Sequence, residues 1–163
     1  AVFAALVGRW ATEPRDLAIL GICAAALIVL LATDLDQKLL PDLITLPLIL
    51  VTGALLVLGW SPLLNSRELG LISGVAAGIG APAFLLVSDR MLRGDLGAGD
   101  LKLAVSVGLL TGVTMLITGL LVASILFSAV LIGLMAVRRI GLKTAVPFGP
   151  VLILAAFVAF AAG

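Results

Sequence analysis

Long apolar segments alternate with short polar breaks along most of the 163-residue chain. The breaks carry proline, glycine or charge, which interrupt regular helices. A helix that crosses a bilayer needs about 20 apolar residues, with roughly 17–25 tolerated. Reading from break to break predicts six helices, named A to F here, over residues 17–33, 43–60, 69–87, 101–111, 113–137 and 146–162. The predicted fold is an all-α, polytopic transmembrane helix bundle.

The composition strengthens this prediction and narrows the chemistry. Hydrophobic residues make up 63% of the chain and charged residues 12%, whereas soluble domains are about 45–50% apolar and about 25% charged. The lipid bilayer is the predicted environment, and a net charge of +1 with no basic stripe excludes a nucleic-acid partner. Without histidine, Ser-His-Asp and Cys-His nucleophile systems are excluded. The single cysteine, Cys23, excludes a disulfide framework, and we predict neither a metal site nor a cofactor.

The first residues form an incomplete apolar segment. Residues 1–7 are too few to cross a bilayer, and no lysine or arginine precedes them as in a signal peptide. We interpret them as the end of a further spanning helix. The expected organisation is therefore a single membrane-embedded domain over residues 1–163, lacking an N-terminal part of the full protein.

Two of the six helices have unusual features. Helix C carries Gly70, Gly74 and Gly78 at four-residue spacing, a pattern that favours close approach of a neighbouring helix. Helix D would be only roughly 16 Å long, about half the hydrocarbon thickness. We therefore expect either the turn at 111–114 or the loop at 89–100 to enter the membrane, buried in protein or lining a wet cavity.

Lysine and arginine are distributed unevenly between the two sides of the bundle. One side has the larger share, namely Lys38, Arg90, Arg93, Lys102, Arg138, Arg139 and Lys143, and the other has Arg9, Arg15 and Arg67. Cytoplasmic loops are enriched in these residues, so the first side is predicted to face the cytoplasm. Most acidic residues lie on that same side.

Two of those acidic residues adjoin the ends of apolar helices. Asp34 follows helix A, where the helix dipole disfavours a negative charge. Asp100 opens helix D after Gly97 and Gly99, which permit unusual backbone conformations and close approach of another chain. Capping of helix D is the alternative role for Asp100. A carboxylate at such a depth is energetically costly, which makes both residues candidates for function.

The neighbouring acidic residues have simpler interpretations. Asp42 follows Pro41 at the start of helix B, and we interpret it as the N-cap of that helix. Asp36 is interpreted as a solvated loop charge. Asp89 and Asp95 alternate with arginines, so local charge neutralisation explains them.

Two carboxylates without histidine or a cluster of metal ligands are suited to one hydrolytic scheme. In an aspartic dyad the two groups share a proton, because like charges at close range cannot both ionise. One carboxylate deprotonates a water molecule, and the other protonates or hydrogen-bonds the scissile carbonyl.

Three pieces of the sequence resemble the type IV prepilin peptidases, which are membrane aspartic proteases with a GxGD motif. These pieces are TDLDQKLLPDLITLPL around residues 34–42, GAGDLKL at 97–103, and VPFGPVLILAAF at 146–157. The resemblance covers the chain from about Leu17 onward and implies Asp34 and Asp100 as the catalytic pair. It implies an endopeptidase that removes the basic leader of prepilins or pseudopilins at the cytoplasmic face of the inner membrane, in type IV pilus or type II secretion systems.

One departure and one alternative accompany this resemblance. Long family members carry a CxxC region associated with methylation of the new N-terminus, and nothing in this sequence matches it, so no methyltransferase activity is assigned. The alternative function is a transporter or proton pathway that uses the same carboxylates. It predicts inverted repeats and acidic residues near the midplane, whereas we find no internal repeat and both acids lie at one face.

Overall fold

A computed structural model describes residues 14–37, 41–64, 67–92, 97–136 and 149–162. These ranges contain five helices, in chain order α1 Pro14–Gln37, α2 Asp42–Leu58, α3 Arg67–Leu92, α4 Ala98–Ala136 and α5 Gly149–Ala162. No strand occurs among the described residues, so the all-α prediction is confirmed. The predicted N-terminal stub, the basic residues at 138–143 and the start of helix F lie outside the described residues.

The helices extend beyond the apolar runs that predicted them. Helix α1 ends at Gln37, so Asp34 lies in its last turn and not after the helix, as the sequence had suggested. Helix α3 likewise continues to Leu92. An apolar run predicts which residues are shielded from water, whereas backbone hydrogen bonding continues into polar residues at the ends of the bundle.

The element α4 covers predicted helices D and E as two helical segments, which meet at a non-helical Gly112. This glycine is buried and has φ 69° and ψ 177°, a left-handed φ that favours glycine. The backbone N–H of Val113 donates a 2.9 Å hydrogen bond to the Ser73 hydroxyl of α3, which satisfies a donor at the start of the second segment. The break falls within the 111–114 turn that the sequence predicts.

The two segments of α4 pack on different helices. In the first segment, residues 98–111, a β-carbon at Gly108 would lie 2.5 Å from the Ala77 carbonyl oxygen of α3. In the second segment, residues 113–136, Gly119 lies against the backbone of Ala155 on α5. Glycine therefore allows both segments to approach a neighbouring backbone closely.

The chain turns back at Gly112. Ala155, which meets Gly119, lies roughly 9 Å along α5 from Gly149, and Gly149 lies against the Asp100 side chain. In an unbroken helix, Gly119 would be roughly 28 Å from Asp100. The second segment of α4 therefore returns toward the end of the bundle that carries Asp100.

The glycine stripe of predicted helix C packs as expected. A β-carbon at Gly74 would lie 2.6 Å from the Leu56 side chain of α2, and one at Gly78 would lie 2.7 Å from Leu109 of α4. The prediction of close helix approach at this stripe is confirmed. The stripe fixes the first segment of α4 against α3, and that segment carries Asp100.

The sequence predicts six membrane helices. The described residues form five helical elements, of which α4 contains two segments separated by Gly112. Three of the five are long and apolar enough to cross a membrane: Pro14–Asp34, Leu69–Met91 and Ala98–Gly133. Asp42–Leu58 and Gly149–Ala162 are shorter apolar helices. Large apolar side chains cover much of the outer surface, including Ile22, Leu50, Phe84 and Ile125, which is the surface expected of a protein surrounded by lipid.

Candidate active site

Asp34 lies on the buried face of α1. This face consists of Leu20, Cys23, Leu27, Leu30 and Asp34 at spacings of three and four residues, which places them on one side of the helix. Only 3% of Asp34 is exposed. The carboxylate therefore points into the bundle because it continues the core-facing stripe of its helix.

Asp100 lies in the first turn of α4, and 8% of it is exposed. Its backbone N–H donates a 3.1 Å hydrogen bond to the Gly97 carbonyl. Asp100 is the third residue of the helix, so it is not the N-cap that we considered as its alternative role. Leu103 and Val107 follow it on the same buried face, so the fold of α4 directs Asp100 inward.

The two carboxylates converge on Gly149, the first residue of α5. A β-carbon at Gly149 would lie 2.7 Å from Asp34 Oδ2 and 3.3 Å from Asp100 Oδ1. The two side chains are therefore close enough, within about 6 Å, for their negative charges to interact strongly. Three helices that are distant in sequence bring together the two residues that the sequence singled out.

Asp34 Oδ2 is buried and has no hydrogen-bond partner among the described residues. Among the described residues, Ser61 Oγ is the other buried side-chain nitrogen or oxygen atom that has no hydrogen-bond partner. A buried polar atom without a partner destabilises a fold, so such an atom requires an explanation. Here the atom points at the junction with Gly149 and Asp100.

Asp42 is not the N-cap of α2, which corrects the interpretation of the sequence. Pro41 occupies the cap position in an extended conformation, and no side chain caps the helix. Asp42 Oδ1 instead accepts a 2.6 Å hydrogen bond from Lys102 Nζ. Lys102 is two residues beyond Asp100, so this ion pair joins the start of α2 to the start of α4.

Asp36 is exposed in the last turn of α1. It was expected in a loop, but its exposure agrees with the expectation of a solvated charge. Asp89 lies inside α3, and Asp95 lies outside the described residues. Among the described residues, no group of three or more histidine, cysteine, aspartate or glutamate side chains is placed to hold a metal ion.

Two residues of this region were missed by sequence reasoning. Gly149 was noted only as part of the VPFGP piece, and no local pattern indicates that its backbone meets two distant carboxylates. Lys102 was counted only as a positive charge, and its partner Asp42 is 60 residues away along the chain. Both contacts depend on how helices pack, which hydrophobic periodicity does not specify.

Comparison with known proteins identifies the family of this chain. The model of the Type IV leader peptidase family matches residues 21–137, a range that includes both Asp34 and Asp100. No solved structure matches the chain significantly.

Several curated relatives are similar over most of the chain. A prepilin leader peptidase/N-methyltransferase of Aeromonas hydrophila is 35% identical over 141 residues, covering 82% of this chain and 45% of the relative. One of Pseudomonas putida is 33% identical over 135 residues, covering 82% and 46%. One of Burkholderia pseudomallei (strain K96243) is 35% identical over 140 residues, covering 83% and 43%.

The chain spans less than half the length of these relatives. The family match nevertheless runs through most of the chain, and three of its helices are long and apolar enough to cross a membrane. The chain is therefore an integral membrane member of the type IV leader peptidase family.

Proposed function

We propose that residues 1–163 form the peptidase domain of a membrane aspartic endopeptidase, with Asp34 and Asp100 as its catalytic pair. The observation that carries the proposal is the convergence of two buried carboxylates on Gly149. Membership of the leader peptidase family supports the same assignment. The substrates are prepilins or pseudopilins with a basic leader, as the names of the curated relatives suggest.

In the proposed mechanism the two carboxylates share one proton and activate a water molecule between them. The unprotonated carboxylate takes a proton from water as the water oxygen bonds to the scissile carbonyl carbon. The protonated one gives its proton to the carbonyl oxygen. When the tetrahedral intermediate collapses, the C–N bond breaks and the leaving amine takes a proton from the pair. One hydroxyl of the intermediate returns its proton to the pair as the carbonyl re-forms, so the pair again holds one proton.

We place the carboxylate end of the bundle at the cytoplasmic face of the inner membrane. Lys102 and Arg90 lie on helices whose ends belong to this side in the predicted orientation, and positive residues favour the cytoplasmic side. A substrate with a basic leader and a hydrophobic helix would then present its junction at the level of the two carboxylates. The methyltransferase activity in the names of the relatives is not assigned to these residues.

The test is processing of a prepilin by the full natural protein that contains this chain. Co-expression with a prepilin should shorten the pilin, and N-terminal sequencing should place the cut between the leader and the hydrophobic helix. Asp34→Asn and Asp100→Asn should leave the prepilin uncut. Asp36→Asn is the matched control, because it removes the same charge two residues away on an exposed side of α1.

Cutting by the Asp36→Asn variant together with no cutting by the other two supports the proposal. Substantial cutting by a well-folded Asp34→Asn or Asp100→Asn variant contradicts the catalytic assignment. An inactive Asp36→Asn beside an active Asp34→Asn would show that the other acid of the motif belongs to the pair.

A further inference from the structure

Gly149 lies where α1, α4 and α5 meet, and the space beside its α-carbon is already occupied. A β-carbon there would approach Asp34 Oδ2 to 2.7 Å and Asp34 Cγ to 3.1 Å. It would also come within 3.3 Å of Asp100 Oδ1. The first of these distances is shorter than real β-carbon contacts, so a side chain at this position requires the carboxylates to move.

This glycine differs from the other closely packed glycines of the bundle. Gly74 and Gly78 face leucine side chains, and Gly108 and Gly119 face the backbone of a neighbouring helix. Gly149 alone among the glycines of the described ranges has two carboxylates as its nearest neighbours across helices. Gly149 therefore lies directly against the two carboxylates that the proposed reaction uses.

The start of α5 is fixed at this place by its own sequence. Pro150 follows Gly149 inside the first turn, where a proline is tolerated because the missing N–H has no helical partner there. Gly149 and Pro150 are both buried. The next buried residues, among them Leu152, Ile153 and Ala156, belong to the core that also contains Leu30 and Leu103. The core thus holds the start of α5 against the two acidic side chains.

We propose that Gly149 is a positioning residue that sets the separation of Asp34 and Asp100. This inference rests on the proposed function, because the separation matters for two groups that act on one water molecule. A methyl group at residue 149 displaces Asp34 Oδ2 from the junction, and misplacement of a reacting group by about 1 Å lowers rates about 10²-fold. Substrate binding along the rest of the bundle is unaffected.

The contact itself is tested by thermal unfolding in detergent, without reference to activity. Gly149→Ala should lower the melting temperature by about 5 °C in the wild-type background, as overpacking of a core does. In the Asp34→Ala background, where the crowded carboxylate is absent, the same substitution should lower it by less than about 2 °C. Equal losses in the two backgrounds overturn the inference. If Gly149→Ala does not fold alone, recovery of folding in the Asp34→Ala background supports the inference, and failure to recover overturns it.

The positioning role is tested by cleavage kinetics on the folded protein. Gly149→Ala should lower kcat about 10²-fold and leave KM within about threefold of wild type. The control is Gly70→Ala, whose β-carbon would lie 3.0 Å from Leu64 Cβ, a crowded contact that involves neither α5 nor the carboxylates. It should lower the melting temperature yet keep kcat within about threefold. An unchanged kcat in Gly149→Ala, or an equal loss in both variants, overturns the inference.

These two experiments separate the inference from the proposed function. A wild-type protein that cleaves no prepilin contradicts the function. The thermal comparison between the wild-type and Asp34→Ala backgrounds still decides whether Gly149 constrains the acidic pair.

Discussion

Two pairs of charged residues join different helices at the same end of the bundle, and they are built in opposite ways. Asp34 and Asp100 are both acidic, are buried, and meet across Gly149. Asp42 and Lys102 carry opposite charges, form a 2.6 Å ion pair, and have side chains that are 63% and 31% exposed. The Asp42–Lys102 ion pair stabilises the bundle modestly, whereas the burial of Asp34 and Asp100 destabilises the folded state.

The difference separates residues that stabilise the fold from residues that the proposed reaction uses. An exposed ion pair contributes about 0–1 kcal/mol and can be lost with little effect. Two acidic groups enclosed by protein, of which only one can ionise readily, destabilise the native state, and such arrangements are concentrated at functional sites. Asp100 and Lys102 are two residues apart on α4, so a single helical turn contributes one residue to each pair.

The largest expected effect comes from neutralising the buried pair. Asp34→Asn or Asp100→Asn should reduce prepilin cleavage by at least about 10³-fold, because the loss of either residue removes the function of the whole pair. Because each change replaces an ionisable group of the buried pair with a neutral one, the melting temperature should stay the same or rise, as expected for a trade-off between stability and function. Cleavage assays and thermal unfolding of the same preparations measure both quantities.

A marked fall in the melting temperature of these two variants would contradict the view that the buried pair destabilises the fold. Asp36→Asn serves again as the control, because its exposed side chain should affect neither quantity.

An intermediate effect is expected where the segment that carries one member of each pair packs on α3. In Gly108→Ala, the new methyl group would lie 2.5 Å from the Ala77 carbonyl oxygen, and overpacking of this kind destabilises by about 1–3 kcal/mol. The first segment of α4 must shift, so cleavage should fall as well. The free energy of unfolding in detergent is the measurement.

Gly80→Ala is the matched control for that prediction. Gly80 lies on α3 with nothing within 4 Å of its β-carbon position, so alanine there should be neutral or slightly stabilising. If Gly108→Ala is as stable and active as Gly80→Ala, the close approach of α4 to α3 does not hold either pair in place.

The smallest effect is expected at the exposed pair. Asp42→Ala and Lys102→Ala should each destabilise the protein by no more than about 1 kcal/mol, and both should keep most of their activity. The loss at Asp42 comes from the ion pair with Lys102, since Asp42 does not cap α2. The exchanged variant, Asp42→Lys with Lys102→Asp, should recover the loss of the single changes, and added salt should reduce it. No recovery in the exchanged variant would show that the ion pair is not what stabilises this junction.

The sequence predicted the helices and the acidic residues of the site but not the contacts between helices. Apolar runs indicate shielded segments, so the cores of α1, α2 and α3 were predicted well, and the break at Gly112 fell in a predicted turn. Asp34 and Asp100 were recognised because a carboxylate beside an apolar helix is unusual. The ends of α1 and α3 were misjudged because polar residues can continue a helix.

The remaining features depend on tertiary packing. Asp42 has the residue type and position of an N-cap, but its side chain bonds to Lys102 on α4 instead. Gly149 has no local property that separates it from a glycine at an ordinary helix start. Its importance becomes visible only when α1, α4 and α5 are placed together.

The central claim is that Asp34 and Asp100 act as one catalytic unit. The most direct measurement compares the cleavage rates of Asp34→Ala, Asp100→Ala and the double variant on the same prepilin. If the two carboxylates share one proton and one water molecule, the double variant is no slower than either single variant, because each single change already removes the whole unit. A double variant whose rate falls by the product of the two single losses would show two independent contributions and contradict the claim.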